Sequence, residues 1–212
     1  MILPEEIVLL TLDDTTGDAL GRSGMAADLA LAGAVLMELS LANRVDNDGH
    51  RLVLHSGAPT GAPVLDDSLR LLTLEAPEDS RGALILLLRE ADSRRAAVLE
   101  RLVAAGLLRR ERGGFLRLYA TRYPKVAGRP ETDEVRHRLR ALAMGEDLPD
   151  PRDALLLGLV RAAGLIRLLF SAEELDAVRP RLDLVIGLEA LNRSMGAVIA
   201  DIHARRLRAV SG

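Results

Sequence analysis

The stretch Ser23 to Asn43, SGMAADLALAGAVLMELSLAN, decides the fold. Its apolar series Met25, Leu29, Ala32, Leu36 and Leu39 steps by four and three, the spacing of one helix face, while Ala30, Leu31, Val35 and Leu41 fill the other faces. A helix apolar nearly all round must be enclosed by other elements, so it is expected to be central and buried. Glu38 is the one charge between Leu29 and Asn43. A buried carboxylate needs a partner or a raised pKa, and an ion pair with an arginine is the expectation here.

On the N-terminal side, Pro4 to Asp14 reads as a short helix. On the other side, Arg44 to His55 reads as a hairpin turning at Asn47-Asp48-Gly49, with Leu52, Val53 and Leu54 returning. Pro63 stands where a first helical residue would and opens a helix over Val64 to Glu75. Helices over Ser80 to Glu90 and Ser93 to Ala105 lead into a second hairpin, Leu107 to Tyr119, turning at Gly113-Gly114. Arg129 to Gly145 has the pattern of a charged amphipathic helix. Asp150 as N-cap and Pro151 start an apolar helix from Arg152 to Phe170. Ser171-Ala172-Glu173-Glu174 fits a capping box for a helix to Arg179. The last helix, Pro180 to Leu207, should pack through Leu184, Leu188, Leu191, Met195, Val198 and Ile202. These elements predict a mainly α, single-domain helical bundle over residues 1–212. Its core helices should be surrounded by amphipathic ones, with one or two β-hairpins at the rim.

Composition agrees. Of 212 residues 49% are apolar but only 2% aromatic, so Leu, Ala, Val and Ile must build the core. The absence of cysteine excludes disulfides, thiolate metal sites and cysteine nucleophiles, and fits a reducing compartment. Met1 to Leu12 carries Glu5 and Glu6 and no basic residue, unlike the cationic start of an export signal. The apolar run Ala154 to Phe170 is interrupted by Arg161 and Arg167 and falls short of the roughly 20 residues a bilayer span needs. A cytoplasmic location is the expectation.

No catalytic constellation emerges. The four histidines have no metal-ligand spacing, and His50 and His55 lie five apart on a predicted strand. Asp13/Asp14 and Asp66/Asp67 lie near predicted helix ends, where capping carboxylates are common. The loop Ser56 to Gly61 has no P-loop spacing, and no G-x-S-x-G occurs. No enzyme activity, metal site or cofactor is expected.

The charge distribution is more informative. Net charge is −3, yet residues 1–80 hold 14 acids against 4 arginines. Residues 89–125 hold ten basic side chains, Arg89, Arg94, Arg95, Arg101, Arg109, Arg110, Arg112, Arg117, Arg122 and Lys125, against four acids. Such a segment suits an anionic membrane surface, where each nearby Arg contributes about 1 kcal/mol. The alternative is a winged-helix DNA binder using the basic helix and hairpin. It ranks second, because the acidic first third would repel DNA and no aromatic residues interleave the arginines.

Ordered motifs then run along the chain: Leu3-Pro4-Glu5-Glu6-Ile7-Val8-Leu9-Leu10 with Leu12-Asp13-Asp14; Gly33 with Leu36-Met37-Glu38-Leu39-Ser40-Leu41 and Arg44; Ala58-Pro59-Thr60-Gly61 with Leu65-Asp66; and Leu102-Val103 with Gly106-Leu107-Leu108. Phe115-Leu116, Pro124 and Asp150 to Leu157 continue the order. In these the chain resembles the Golgi phosphoprotein 3-like family. The resemblance implies a central four-helix core wrapped by amphipathic helices, with a protruding hairpin. It implies a non-enzymatic adaptor, peripheral on membranes, that binds phosphatidylinositol 4-phosphate and holds cytoplasmic tails of membrane proteins. Nucleic acid is not an expected partner.

The family's headgroup pocket uses a tryptophan and three arginines, which align with Ser23, Ala32, Asp92 and Arg95, so Arg95 is the match. Arg94 and Arg22 are the candidates to substitute in headgroup binding. The membrane-facing hairpin is expected to act through Arg109, Arg110, Arg112 and Phe115, with attraction by charge ahead of insertion. Arginine outnumbering a single lysine points to a high-GC bacterial genome, and such a cell has no Golgi.

Overall fold

A computed structural model of the chain describes residues 1–20, 24–47, 51–112, 121–145, 150–188 and 198–203. It is a mainly α-helical bundle with small antiparallel β-hairpins.

Helix α1 (Leu3–Leu10) is buried over its whole length, Glu5 and Glu6 included. Beside it runs α2 (Gly24–Leu41), on which Leu29 to Met37 are all buried. By length and composition α2 could cross a bilayer, with a mean hydropathy of 1.5 over 18 residues, but 67% of it is buried inside the bundle, so it is a core helix. Its packing is close: a Cβ on Gly33 would come within 2.6 Å of Leu159 Cδ1 and 2.8 Å of Ile199 Cδ1. Helix α7 (Pro151–Ala162) and the inner face of α4 (Ser80–Leu88) complete the centre.

Around this centre lie α3 (Pro63–Glu75), α5 (Ala91–Ala104), α6 (Glu131–Met144) and α8 (Ala172–Leu188), each burying one stripe. The stripes keep helical spacing, as in Val135, Leu139 and Ala143 of α6 or Val178, Leu182 and Val185 of α8. Residues 198–203 are helical, with Ile199 and Ile202 buried. All these side chains join one hydrophobic cluster.

Local signals set most boundaries. Asp150 accepts from the Arg152 and Asp153 N–H groups and caps α7, with Pro151 as its first residue. Ser171 and Glu174 form the reciprocal capping box at α8. Strands β1 (Val45–Asn47) and β2 (Leu52–Leu54) form the first hairpin, and the expected turn at residues 48–49 lies outside the described residues.

Four expectations need correction. The helix from Arg152 stops at Ala162 instead of reaching Phe170. Gly164, at φ +79°, takes the left-handed conformation, its N–H bonds to the Arg161 carbonyl, and the Leu165 N–H reaches the Val160 carbonyl, a Schellman stop. A short 3-10 helix, Ile166–Leu168, follows.

Pro180 does not separate two helices, because α8 runs through it. Pro180 is exposed, so water can solvate the carbonyl it leaves unbonded while the buried stripe continues beneath. That stripe displaces Leu184, which is 54% exposed rather than packed. Met25, at the first step of the α2 series, is likewise exposed.

In the second hairpin, β3 (Glu111–Arg112) pairs with β4 (Thr121–Arg122), Arg112 opposite Thr121, and Leu108 bridges Lys125. The turn expected at Gly113-Gly114 lies outside the described residues. The return strand expected at Phe115 to Tyr119 lies outside the described residues.

Candidate membrane-facing surface

The basic segment occupies the end of α4, the whole of α5 and the β3–β4 hairpin. Its side chains do not share one direction. Arg94, 7% exposed, donates from Nε to Ser68 Oγ on α3 (3.1 Å) and from Nη1 to the Leu87 carbonyl (2.6 Å). Glu90 Oε2 lies 3.5 Å from its Nη2. Burial lowers the Arg94 pKa, with Glu90 and Asp67 acting against it. Arg95 turns the other way and pairs with Asp28 of α2.

Five more of these cations also meet carboxylates. Arg101 Nε donates to buried Glu5 Oε1 at 2.5 Å. Arg122 Nε lies 3.0 Å from Asp18 Oδ1, and Lys125 Nζ bonds Asp14 Oδ1 at 2.5 Å, with Asp133 at 3.4 Å. Arg109 pairs with Glu111 at 3.2 Å and Arg110 with Glu100, all four side chains being about half exposed or more. Arg89 is exposed at the end of α4. Arg22, Arg117 and Phe115 lie outside the described residues, as does the Arg112 side chain.

Asp14, Asp18, Asp28 and Glu5 all come from the first thirty residues. The acidic start of the chain and its basic middle are thus largely complementary to each other. Gly17 makes part of this possible. At φ +66° it lies so close to Tyr123 and Pro124 that a Cβ would fall 2.1 Å from Pro124 N. Its carbonyl accepts from the Tyr123 N–H at 3.1 Å, which brings Asp14 and Asp18 beside the segment from Arg122 to Lys125.

A second polar group, not anticipated as a set, surrounds α1. Glu38 accepts two hydrogen bonds from Arg152 (2.6 and 3.2 Å) and one from the Leu3 N–H (2.7 Å). The arginine expected for Glu38 is therefore Arg152. Arg138 donates from Nη2 to Glu6 (2.7 Å) and from Nε to both oxygens of Asp153 (2.7 Å each). Burial opposes the charge on Arg138, but its hydrogen bonds to Asp153 and Glu6 outweigh that and raise its pKa. Burial raises the Glu6 pKa despite Arg138. The sequence signal was present in Leu3-Pro4-Glu5-Glu6, where two acids stand inside an apolar run.

The candidate acid pairs have structural partners. Asp13 accepts from the Thr15 and Thr16 N–H groups in the turn after α1. Asp66 accepts from the N–H and hydroxyl of Thr60, closing the loop before α3, and Asp67 pairs with Arg70. His55 is exposed, 3.7 Å from Asp46. Among the described residues no group of three or more His, Asp or Glu side chains could hold a metal ion.

This arrangement, a buried α1 carrying two salt-bridged glutamates against an apolar α2, is built on the motifs that suggested the resemblance. The sequence model of the Golgi phosphoprotein 3 (GPP34) family matches residues 3–202. The chain belongs to that family. No curated protein matches it. As a Golgi phosphoprotein 3 family member it is a non-enzymatic adaptor of the lipid- and membrane-associated kind. Of the positions expected to hold a headgroup, Arg95 is engaged with Asp28, while Asp92 stands exposed on the same helix.

Proposed function

We propose that this protein is one helical domain over residues 1–212 that stays in the cytoplasm and docks reversibly on anionic membrane. The docking face is the hairpin carrying Arg109, Arg110, Arg112 and Phe115, of which Phe115 and the Arg112 side chain lie outside the described residues. The observation that carries this reading is the state of Arg109 and Arg110. Both are exposed, and their partners Glu111 and Glu100 are exposed too. Such pairs are worth about 0–1 kcal/mol, so a lipid phosphate can replace the carboxylate at little cost. With about 1 kcal/mol per arginine near the surface, a few give reversible attachment.

Selective recognition of a phosphoinositide through Arg95, Arg94 and Arg22 asks more of the fold. A headgroup would have to displace Asp28 from Arg95 and withdraw Arg94 from Ser68 and Leu87. Charge-driven docking is therefore the favoured form.

Co-sedimentation with phosphatidylserine-containing vesicles tests it. Arg109→Ala/Arg110→Ala should weaken binding about tenfold or more. Unchanged binding would overturn the proposed face. A strong preference for phosphatidylinositol 4-phosphate vesicles over phosphatidylserine vesicles of equal charge, lost in Arg95→Ala, would replace it with the selective reading.

A further inference from the structure

A groove of about 280 Å³ opens between α3 and α5, on the side of α5 away from Asp28. Its apolar wall is Val64, Leu71, Leu74 and Ala97, and its polar lining includes Ser93 and Arg94, with Asp67, Arg70 and Glu90. Leu74, 78% exposed, projects at its edge. Most of an Arg94 fork is committed to the fold through Ser68 and Leu87. The remaining nitrogen, Nη2, has a carboxylate at 3.5 Å, an ion-pair distance longer than a good hydrogen bond. A buried guanidinium with so loose a counter-charge is incompletely compensated.

We propose that this groove binds a single-chain amphiphile with a carboxylate head, such as a medium-chain fatty acid. The head would take Arg94 Nη2 and the Ser93 hydroxyl, one donor for each oxygen. The tail would lie along Val64, Leu71, Leu74 and Ala97.

The groove's own charges set the class of ligand. Asp67 and Glu90 stand beside Arg70 and Arg94, so a phosphate dianion would meet about twice the repulsion that a carboxylate monoanion meets. The volume lies at the small end for ligand pockets and admits one acyl chain, not a two-chain lipid. Ser93, Arg94 and Leu74 take no part in the hairpin proposed for membrane docking, so the two proposals fail independently.

The test is titration calorimetry of the whole chain with decanoate, kept below its micelle concentration, beside decanol. Decanoate should bind saturably at one site and decanol about tenfold more weakly, the loss expected for a charge-assisted hydrogen bond. Leu74→Glu changes an exposed side chain, so the variant should fold, and it should weaken decanoate binding about tenfold by putting charge on the tail's path. Arg94→Lys keeps the charge and loses the fork, and should also bind more weakly. Equal affinity for decanol, non-saturating uptake, or full binding by Leu74→Glu would each overturn the proposal.

Discussion

Arg94 and Arg95, adjacent on α5, are held by opposite neighbours: Arg94 by Ser68 of α3 and the last turn of α4, Arg95 by Asp28 of α2. Consecutive helical positions point about 100° apart, so two arginines side by side in sequence serve two different interfaces. The pair clamps α5 between its neighbours, and a double substitution there would report on stability as much as on lipid.

Arg94→Ala should therefore destabilise the fold by about 1–3 kcal/mol, because it leaves the Leu87 carbonyl short of its donor. Arg95→Ala, at a less buried pair, should cost about 1 kcal/mol. Arg109→Ala/Arg110→Ala should leave stability within about 0.5 kcal/mol of the parent. Urea denaturation midpoints for the three variants check this ordering, and a large loss in the hairpin variant would contradict it.

Glu38 joins α1, α2 and α7 through Leu3 and Arg152. Glu38→Ala should cost about 3 kcal/mol, since it strands both the Leu3 N–H and the Arg152 guanidinium. Arg152→Met, which leaves Glu38 with its backbone partner, should cost less. Thermal unfolding of both variants gives the comparison.

Acid should loosen the contact between α6 and α8. The Arg140 guanidinium, with help from the Ser171 N–H, holds the Glu174 carboxyl at about 2, below the usual 4.5. A depressed folded pKa contributes stability that is full above the unfolded value and lost as pH falls through the folded one. The difference in Tm between the parent and Glu174→Gln should thus be constant near about pH 7 and vanish toward about pH 2. Glu6, raised by burial, has the opposite sign: its contribution is present at low pH and lost as pH rises through its raised value. Glu6→Gln should flatten that decline in a pH series of Tm.

Gly17→Ala should be among the most damaging small substitutions. The added methyl meets the backbone of Tyr123 and Pro124, which cannot rotate away, and φ +66° disfavours any Cβ. A loss of about 3 kcal/mol is expected, with faster proteolysis within residues 11–20 as that segment leaves the strand. Gly33→Ala should be milder, because its nearest neighbours are the flexible ends of Leu159 and Ile199. Limited proteolysis and thermal melts of the two variants together separate backbone from side-chain obstruction.

The amino-acid sequence by itself determined the helices, most of their ends and the family. The α2 series, Pro63, the Asp150 cap and the Ser171–Glu174 box act within about four residues, which is the range over which a helix reads its own sequence. Glu38 could be assigned an arginine partner because a charge on an apolar helix has few alternatives. Where the arginines point was decided by the tertiary structure alone. A count of charge along the chain shows a basic middle, but Glu5 meets Arg101 and Asp14 meets Lys125 across about a hundred residues. Those encounters follow from which helices pack together. Packing is governed by apolar surface removed from water, a non-directional force that the positions of the charges do not reveal.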